Sequence, residues 1–223
     1  IHDVCLQNLH VIFAIDRSGI VGEDGPTHHG LFDIAYLSHI PNLTVMAPKD
    51  LAELSRMLRF AIANNGPIAL RYPRGTGVDI SSGNADIELG KPELLREGDD
   101  VVIVGLGSMV HSCIEVAEYL EKENIKAAVI NARFVRPHDM ELIRKLAKTC
   151  KVLVCVEEGV VEGGFGSYLL KELEENDIRF EKTKLIGLPD IFIEHGKKDI
   201  LLDKYGLSKD KILKTIKKLI QKG

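Results

Sequence analysis

Short, almost wholly apolar runs recur along this chain, and most are followed by a stretch with helical spacing. The runs cover 11–15, 43–47, 67–70, 101–105, 126–130 and 152–156. A strand with one face in water alternates polar and apolar residues, so runs without a polar face fit strands covered on both sides, and the intervening helices supply the cover. Helices are expected over 31–38, 51–64, 110–123, 140–149, 165–175, 199–205 and 208–221, with a further strand at 183–186. In the second of these helices Leu51, Leu54, Met57, Leu58 and Ala61 make one apolar stripe, and Asp50 stands where it can cap the first turn. From 76 to 98 the pattern turns polar and glycine-rich, which reads as a connector or a crossing strand segment. The expected architecture is α/β, two parallel-sheet domains on either side of a boundary there.

Composition narrows the function. Lys and Arg number 29 against 33 Asp and Glu, a net charge of −4, which disfavours a nucleic-acid binder. No apolar run approaches the ~20 residues of a membrane helix, so no membrane partner is expected. The tail lysines Lys209, Lys211, Lys214, Lys217, Lys218 and Lys222 surround Asp210 on an amphipathic pattern and read as a solvated face. Cys5, Cys113, Cys150 and Cys155 show no paired CxxC spacing, which points to free thiols in a reducing, cytoplasmic compartment. The histidines lack i, i+4 spacing, so no metal site is expected. The chain opens on Ile1, and residues 1–10 read as part of a folded domain, so the start is expected to lie inside a larger protein.

Two glycine turns follow strands. Gly105-Leu106-Gly107-Ser108 superficially suggests a dinucleotide fingerprint, but the third glycine position is Val110; a tight strand-to-helix turn is the preferred reading, with the helix N-terminus open to an anion or a partner's side chain. Gly163-Gly164-Phe165-Gly166-Ser167 reads the same way. Glu157 and Glu158 are adjacent on a strand and point oppositely, so they cannot share a proton as a dyad. One is expected to make a structural hydrogen bond and the other to meet solvent.

The loop after the first strand carries more chemistry. It sets Arg17, Asp24, His28 and His29 on a framework of four glycines and a proline, while Arg74 emerges from another strand end. Two guanidinium forks with a histidine and a carboxylate suit a small phosphorylated substrate: arginine binds phosphate bidentately, and His and Asp handle hydroxyl or carbonyl oxygens. The alternative is that Asp16, Arg17 and Arg74 form structural ion pairs while the histidines cap turns.

The wording of residues 13–30, of Ile40-Pro41-Asn42 with Met46-Ala47-Pro48, and of Arg71-Tyr72-Pro73-Arg74-Gly75 closely resembles the 1-deoxy-D-xylulose-5-phosphate synthases, thiamine diphosphate enzymes of the transketolase superfamily. The likeness continues through Asn131-Ala132-Arg133-Phe134-Val135-Arg136-Pro137 and Pro189-Asp190 to Glu194-His195-Gly196. It implies a transferase that condenses pyruvate with D-glyceraldehyde 3-phosphate, with loss of carbon dioxide, at the entry to the methylerythritol phosphate route, and that works as a cytoplasmic homodimer. By motif, Arg17 and Arg74 match the family's phosphate-gripping arginines. Asp24 and His28 match its carboxylate and histidine near the reacting groups, where His28 would polarise or relay protons. His29 is not carried over.

The resemblance also implies absences. Family members are much longer, with a preceding domain that binds the diphosphate and Mg²⁺, and neither that motif nor the glutamate that activates the cofactor's pyrimidine is present. Residues 1–77 resemble the rest of a pyrimidine-binding domain, 78–97 a connector and 98–223 the transketolase C-terminal domain; the truncated sheet should expose an edge. Alone, such a fragment should be inactive. A natural C-terminal subunit of a split enzyme and a non-catalytic dimerisation module are the alternatives.

Overall fold

The apolar runs become the inner strands of two sheets. The computed structural model describes residues 1–77 and 86–221; residues 78–85 of the expected connector, and Lys222 of the basic tail, lie outside the described residues. In order, the elements are β1 (Ile12–Ile15), α1 (Asp33–Leu37), β2 (Thr44–Met46), α2 (Leu51–Ala63), β3 (Ile68–Arg71), β4 (Glu93–Arg96), β5 (Val101–Gly105) and α3 (Met109–Glu121). There follow β6 (Ala127–Asn131), β7 (Phe134–Arg136), α4 (Glu141–Leu146), β8 (Val152–Val160), α5 (Phe165–Glu175), β9 (Lys182–Leu188), α6 (Lys198–Lys204) and α7 (Lys209–Ile220). Asp50 caps α2 as its position suggested, accepting from the Glu53 amide at 2.6 Å. No helix among the described residues is long and apolar enough to cross a membrane.

The first sheet has the order β1-β3-β2-β7 and the second β4-β6-β5-β8-β9. Neither is purely parallel. β7 runs antiparallel to β2 and β4 antiparallel to β6, each at a sheet edge. An edge strand is covered on one side only and needs no apolar run of its own, so a three-residue and a charged four-residue strand serve. At the opposite edge of the first sheet β1 pairs with β3, and Phe13 on it is exposed.

The two sheets share their interior. β7 comes from the second half of the chain yet completes the first sheet, and one apolar cluster joins Val45, Ala47 and Ala69 to Val102, Val104 and Ile130. Beside this junction lies a buried ionic cluster. Glu53 accepts from the Lys49 amide (2.8 Å), Lys49 Nζ (3.2 Å), Asn131 Nδ2 (3.0 Å) and Arg133 Nε (2.8 Å). Glu93 on β4 receives Lys49 at 2.9 Å and Arg133 at 3.2 Å. Burial alone would raise the Glu53 carboxyl, but Lys49, Asn131 and Arg133 together hold it below the usual carboxylate range.

His138 follows β7, with Nδ1 3.1 Å from the Phe134 carbonyl oxygen and the ring edge-on to Phe165. Burial pushes its pKa down to about 4. The unfolded chain therefore takes up this proton near pH 6.5 while the folded chain resists until about 4. Stability should fall by about 3 kcal/mol as pH drops across that window. Denaturant midpoints of wild type and His138→Gln, measured from pH 7.5 to 4, should differ in slope there; parallel curves would contradict this.

Candidate functional site

The glycine-rich segment between β1 and α1 is a closed ring. Gly19 and Gly30 exchange both backbone hydrogen bonds (2.7 and 3.0 Å), and the Ser18 amide donates to the Tyr72 carbonyl at 3.0 Å. The closure needs glycine at position 30, where a Cβ would fall 2.4 Å from the Arg17 carbonyl oxygen.

The second domain holds this ring in place. Glu158 Oε1 accepts from the Ile20 amide at 2.8 Å, Ser108 Oγ donates to Oε2 at 2.8 Å, and Lys198 Nζ lies 2.8 Å from Oε1. The Gly196 amide donates to the Gly22 carbonyl at 3.2 Å. His29 Nδ1 accepts from the Val21 amide at 3.1 Å, which leaves the proton on Nε2 to meet the Glu194 carbonyl at 3.3 Å. His29 is thus a turn-fixing histidine.

One expectation for the glutamates is overturned. Glu157 makes the structural bonds, accepting from the Phe165 and Gly166 amides at 2.9 and 2.8 Å at the start of α5, and burial pushes its pKa up to about 7. Glu158 does not meet solvent, being only 3% exposed beneath the ring. The ring that covers it lies 138 residues away in sequence, which no local pattern signals. The two glycine turns are structural, as preferred. A Cβ at Gly105 would lie 3.0 Å from Cys113 Sγ and one at Gly107 3.3 Å from Ala47, so these glycines allow close packing of α3 and of the two domains. Ser108, at the start of α3, is engaged with Glu158.

Arg71 ends β3 buried, with Nε 2.6 Å and Nη2 3.2 Å from the Asp33 carboxylate and Nη2 3.4 Å from the Gly30 carbonyl oxygen. It carries no reading from spacing, although an arginine closing an apolar strand demands a buried carboxylate partner, and Asp33 is that partner. Three residues further on, Arg74 is exposed and forms an ion pair with Asp24 of the ring.

Arg74 opens into a cleft of about 620 Å³ between the domains. Asp16, Asp50 and Tyr72 line it from the first domain, and Ser108, His111 and Lys198 from the second. Of the residues singled out in the sequence, the structure brings Arg74 and Asp24 together. Arg17 and His28 stand on the ring outside the cleft lining. Arg17 adopts a left-handed backbone (φ 58°), and its Nε is buried without a hydrogen-bond partner. His28 is exposed, with Nδ1 3.0 Å from Thr27 Oγ1.

Residues 1–77 match the transketolase pyrimidine binding domain and residues 90–212 the transketolase C-terminal domain. The 1-deoxy-D-xylulose-5-phosphate synthase of Heliobacterium modesticaldum is 51% identical over 220 residues, covering 98% of this chain and 34% of that protein. Its namesake from Halothermothrix orenii is 49% identical over 222 residues, covering 99% and 35%. Among solved structures, a split gene transketolase in an inactive beta4 tetramer aligns with a TM-score of 0.86 and 30% identity over 98% of this chain and 69% of that one. The chain spans about a third of the length of the curated relatives it matches.

Proposed function

Because the chain belongs to the transketolase family, we propose that it is the carboxyl-terminal part of a 1-deoxy-D-xylulose-5-phosphate synthase, and that its share of the work is to hold D-glyceraldehyde 3-phosphate. The whole enzyme would join that aldehyde to pyruvate with loss of carbon dioxide, as a cytoplasmic homodimer. The observation that carries this reading is the meeting of Arg74 and Asp24 at the mouth of the interdomain cleft.

Family membership implies thiamine diphosphate and a divalent metal in the complete enzyme. The residues of this chain do not fit that group on their own. Among the described residues no three His, Cys, Asp or Glu side chains gather to hold a metal. The buried Glu53 is consumed by Lys49, Asn131 and Arg133 and offers no free oxygen to a pyrimidine.

What the chain does offer is a phosphate grip. The Arg74–Asp24 pair is solvent-exposed, so it contributes little energy, and a phosphate presenting two oxygens to the guanidinium outcompetes it. Asp24 thus keeps Arg74 at the cleft mouth until the phosphate arrives and is then released to meet a hydroxyl. Arg17 stands on the same ring, and by its match to the family's second phosphate-gripping arginine it would supply another guanidinium. By its match to the family's histidine, His28 would exchange a proton with the aldehyde oxygen.

The test uses this chain joined to the amino-terminal two thirds of the Heliobacterium relative, replacing that enzyme's own last third. With Arg74→Ala, kcat/KM for D-glyceraldehyde 3-phosphate should fall roughly 10- to 100-fold, while the KM for pyruvate moves little. Equal losses for both substrates would refute the phosphate role. The split-gene neighbour favours a second reading, a separate subunit. In that case mixing the two unlinked polypeptides would restore activity as well as joining them does.

A further inference from the structure

The wall of the cleft opposite the first domain carries a further cation. Lys198, at the start of α6, reaches back to Glu158, with Nζ 2.8 Å from Oε1 and 3.1 Å from Oε2. An ammonium has three donors, and Glu158 engages no more than two of them. The side chain remains 37% exposed and lines the cleft together with Arg74.

The ring sets Lys198 and Arg74 near each other. Gly22 abuts the Lys198 backbone, where a Cβ would come within 3.3 Å of its amide nitrogen, and Asp24, two residues on, holds Arg74. We propose that Lys198 is a ligand-binding residue contributed by the second domain, which grips the anionic group of a phosphorylated hydroxy compound together with Arg74 from the first. This rests on the phosphate reading of the cleft and adds a second domain to it.

The carboxylates in and beneath the cleft fit the same ligand. Glu158 is saturated by Ile20, Ser108 and Lys198 itself, so it accepts nothing further from a ligand. Asp50 spends one oxygen on the cap of α2. Asp16 is an exposed acceptor, suited to hydroxyl protons and unsuited to phosphate, which orients the anion toward the Arg74 and Lys198 end. Lys198 keeps its bonds to Glu158 as the third donor turns to the phosphate, so binding does not release the ring.

The experiment is a titration of this chain with glycerol 3-phosphate, followed by amide chemical shifts, with glycerol as the uncharged control. Lys198→Gln should raise the Kd for glycerol 3-phosphate about tenfold, Lys198→Arg should restore it to within about twofold, and Lys214→Gln on the far helix α7 should change nothing. If Arg74→Gln weakens binding and Lys198→Gln does not, the proposal fails and the phosphate reading stands. If neither substitution matters, or wild type shows no saturable shift, both fail. A second measurement needs no destabilising variant. In chain carrying ¹³C-dimethylated lysines, the Lys198 signal, identified by its absence from Lys198→Arg, should move with saturation by glycerol 3-phosphate. A stationary signal would overturn the proposal.

Discussion

Glu53→Ala is expected to destabilise this chain by about 3–5 kcal/mol, the range for removing one partner from a buried ion pair. The loss is large because of what remains. Lys49 and Arg133 would stay buried with Glu93 as their sole shared anion, and the Asn131 amide would lose both Glu53 oxygens and keep only its 3.3 Å bond to Glu93. The cluster joins α2 of the first sheet to β4 and β6 of the second, so a cooperative loss across both domains should appear in one denaturant transition. The carboxyl is held below its ordinary range, so its stabilisation is present at neutral pH and is lost as pH falls through the folded value. Wild type should therefore lose its advantage over Glu53→Ala in acid. A difference under about 1 kcal/mol at pH 7 would show that the cluster is electrostatically idle.

Gly19→Ala should cost about 4 kcal/mol, the sum of a left-handed backbone for a non-glycine residue and of displaced charge-assisted hydrogen bonds. The backbone at Gly19 has φ +78°, and a Cβ there would lie 2.4 Å from Glu158 Cδ. The carboxylate is the end of a flexible side chain, but it cannot withdraw freely. Moving it breaks its bonds to the Ile20 amide, Ser108 and Lys198 together. The ring that carries Arg17, Asp24 and His28 would then lose its anchor, so the substitution should also weaken phosphate binding. Denaturant melts and the Ile20 amide resonance would report the two effects. Wild-type stability with an unshifted Ile20 signal would contradict the clamp.

The contrast between these sites shows what was legible beforehand. β5 and α5 fall on their expected residues, because a run such as Val101-Val102-Ile103-Val104 has no polar face to give a strand and an apolar stripe orients a helix. β7 was not legible, since Phe134–Arg136 becomes a strand only through the offered edge of β2. The charged residues of the ring stood out as chemistry on a glycine framework at strand ends. Their pairing did not: Asp24 and Arg74 meet across 50 residues, and spacing carries no such information. Glu158 and Lys198 escaped for a related reason. One of the two adjacent glutamates read as solvated, and Lys198 stood outside every motif, until the fold sets one against the other.

We propose, as above, that this chain completes a 1-deoxy-D-xylulose-5-phosphate synthase. The most direct measurement is product formation by the fusion with the Heliobacterium amino-terminal part, supplied with thiamine diphosphate, Mg²⁺, pyruvate and D-glyceraldehyde 3-phosphate. Carbon dioxide and 1-deoxy-D-xylulose 5-phosphate are expected in equal amounts. A folded fusion that makes neither, while the intact Heliobacterium enzyme makes both under the same conditions, would contradict it.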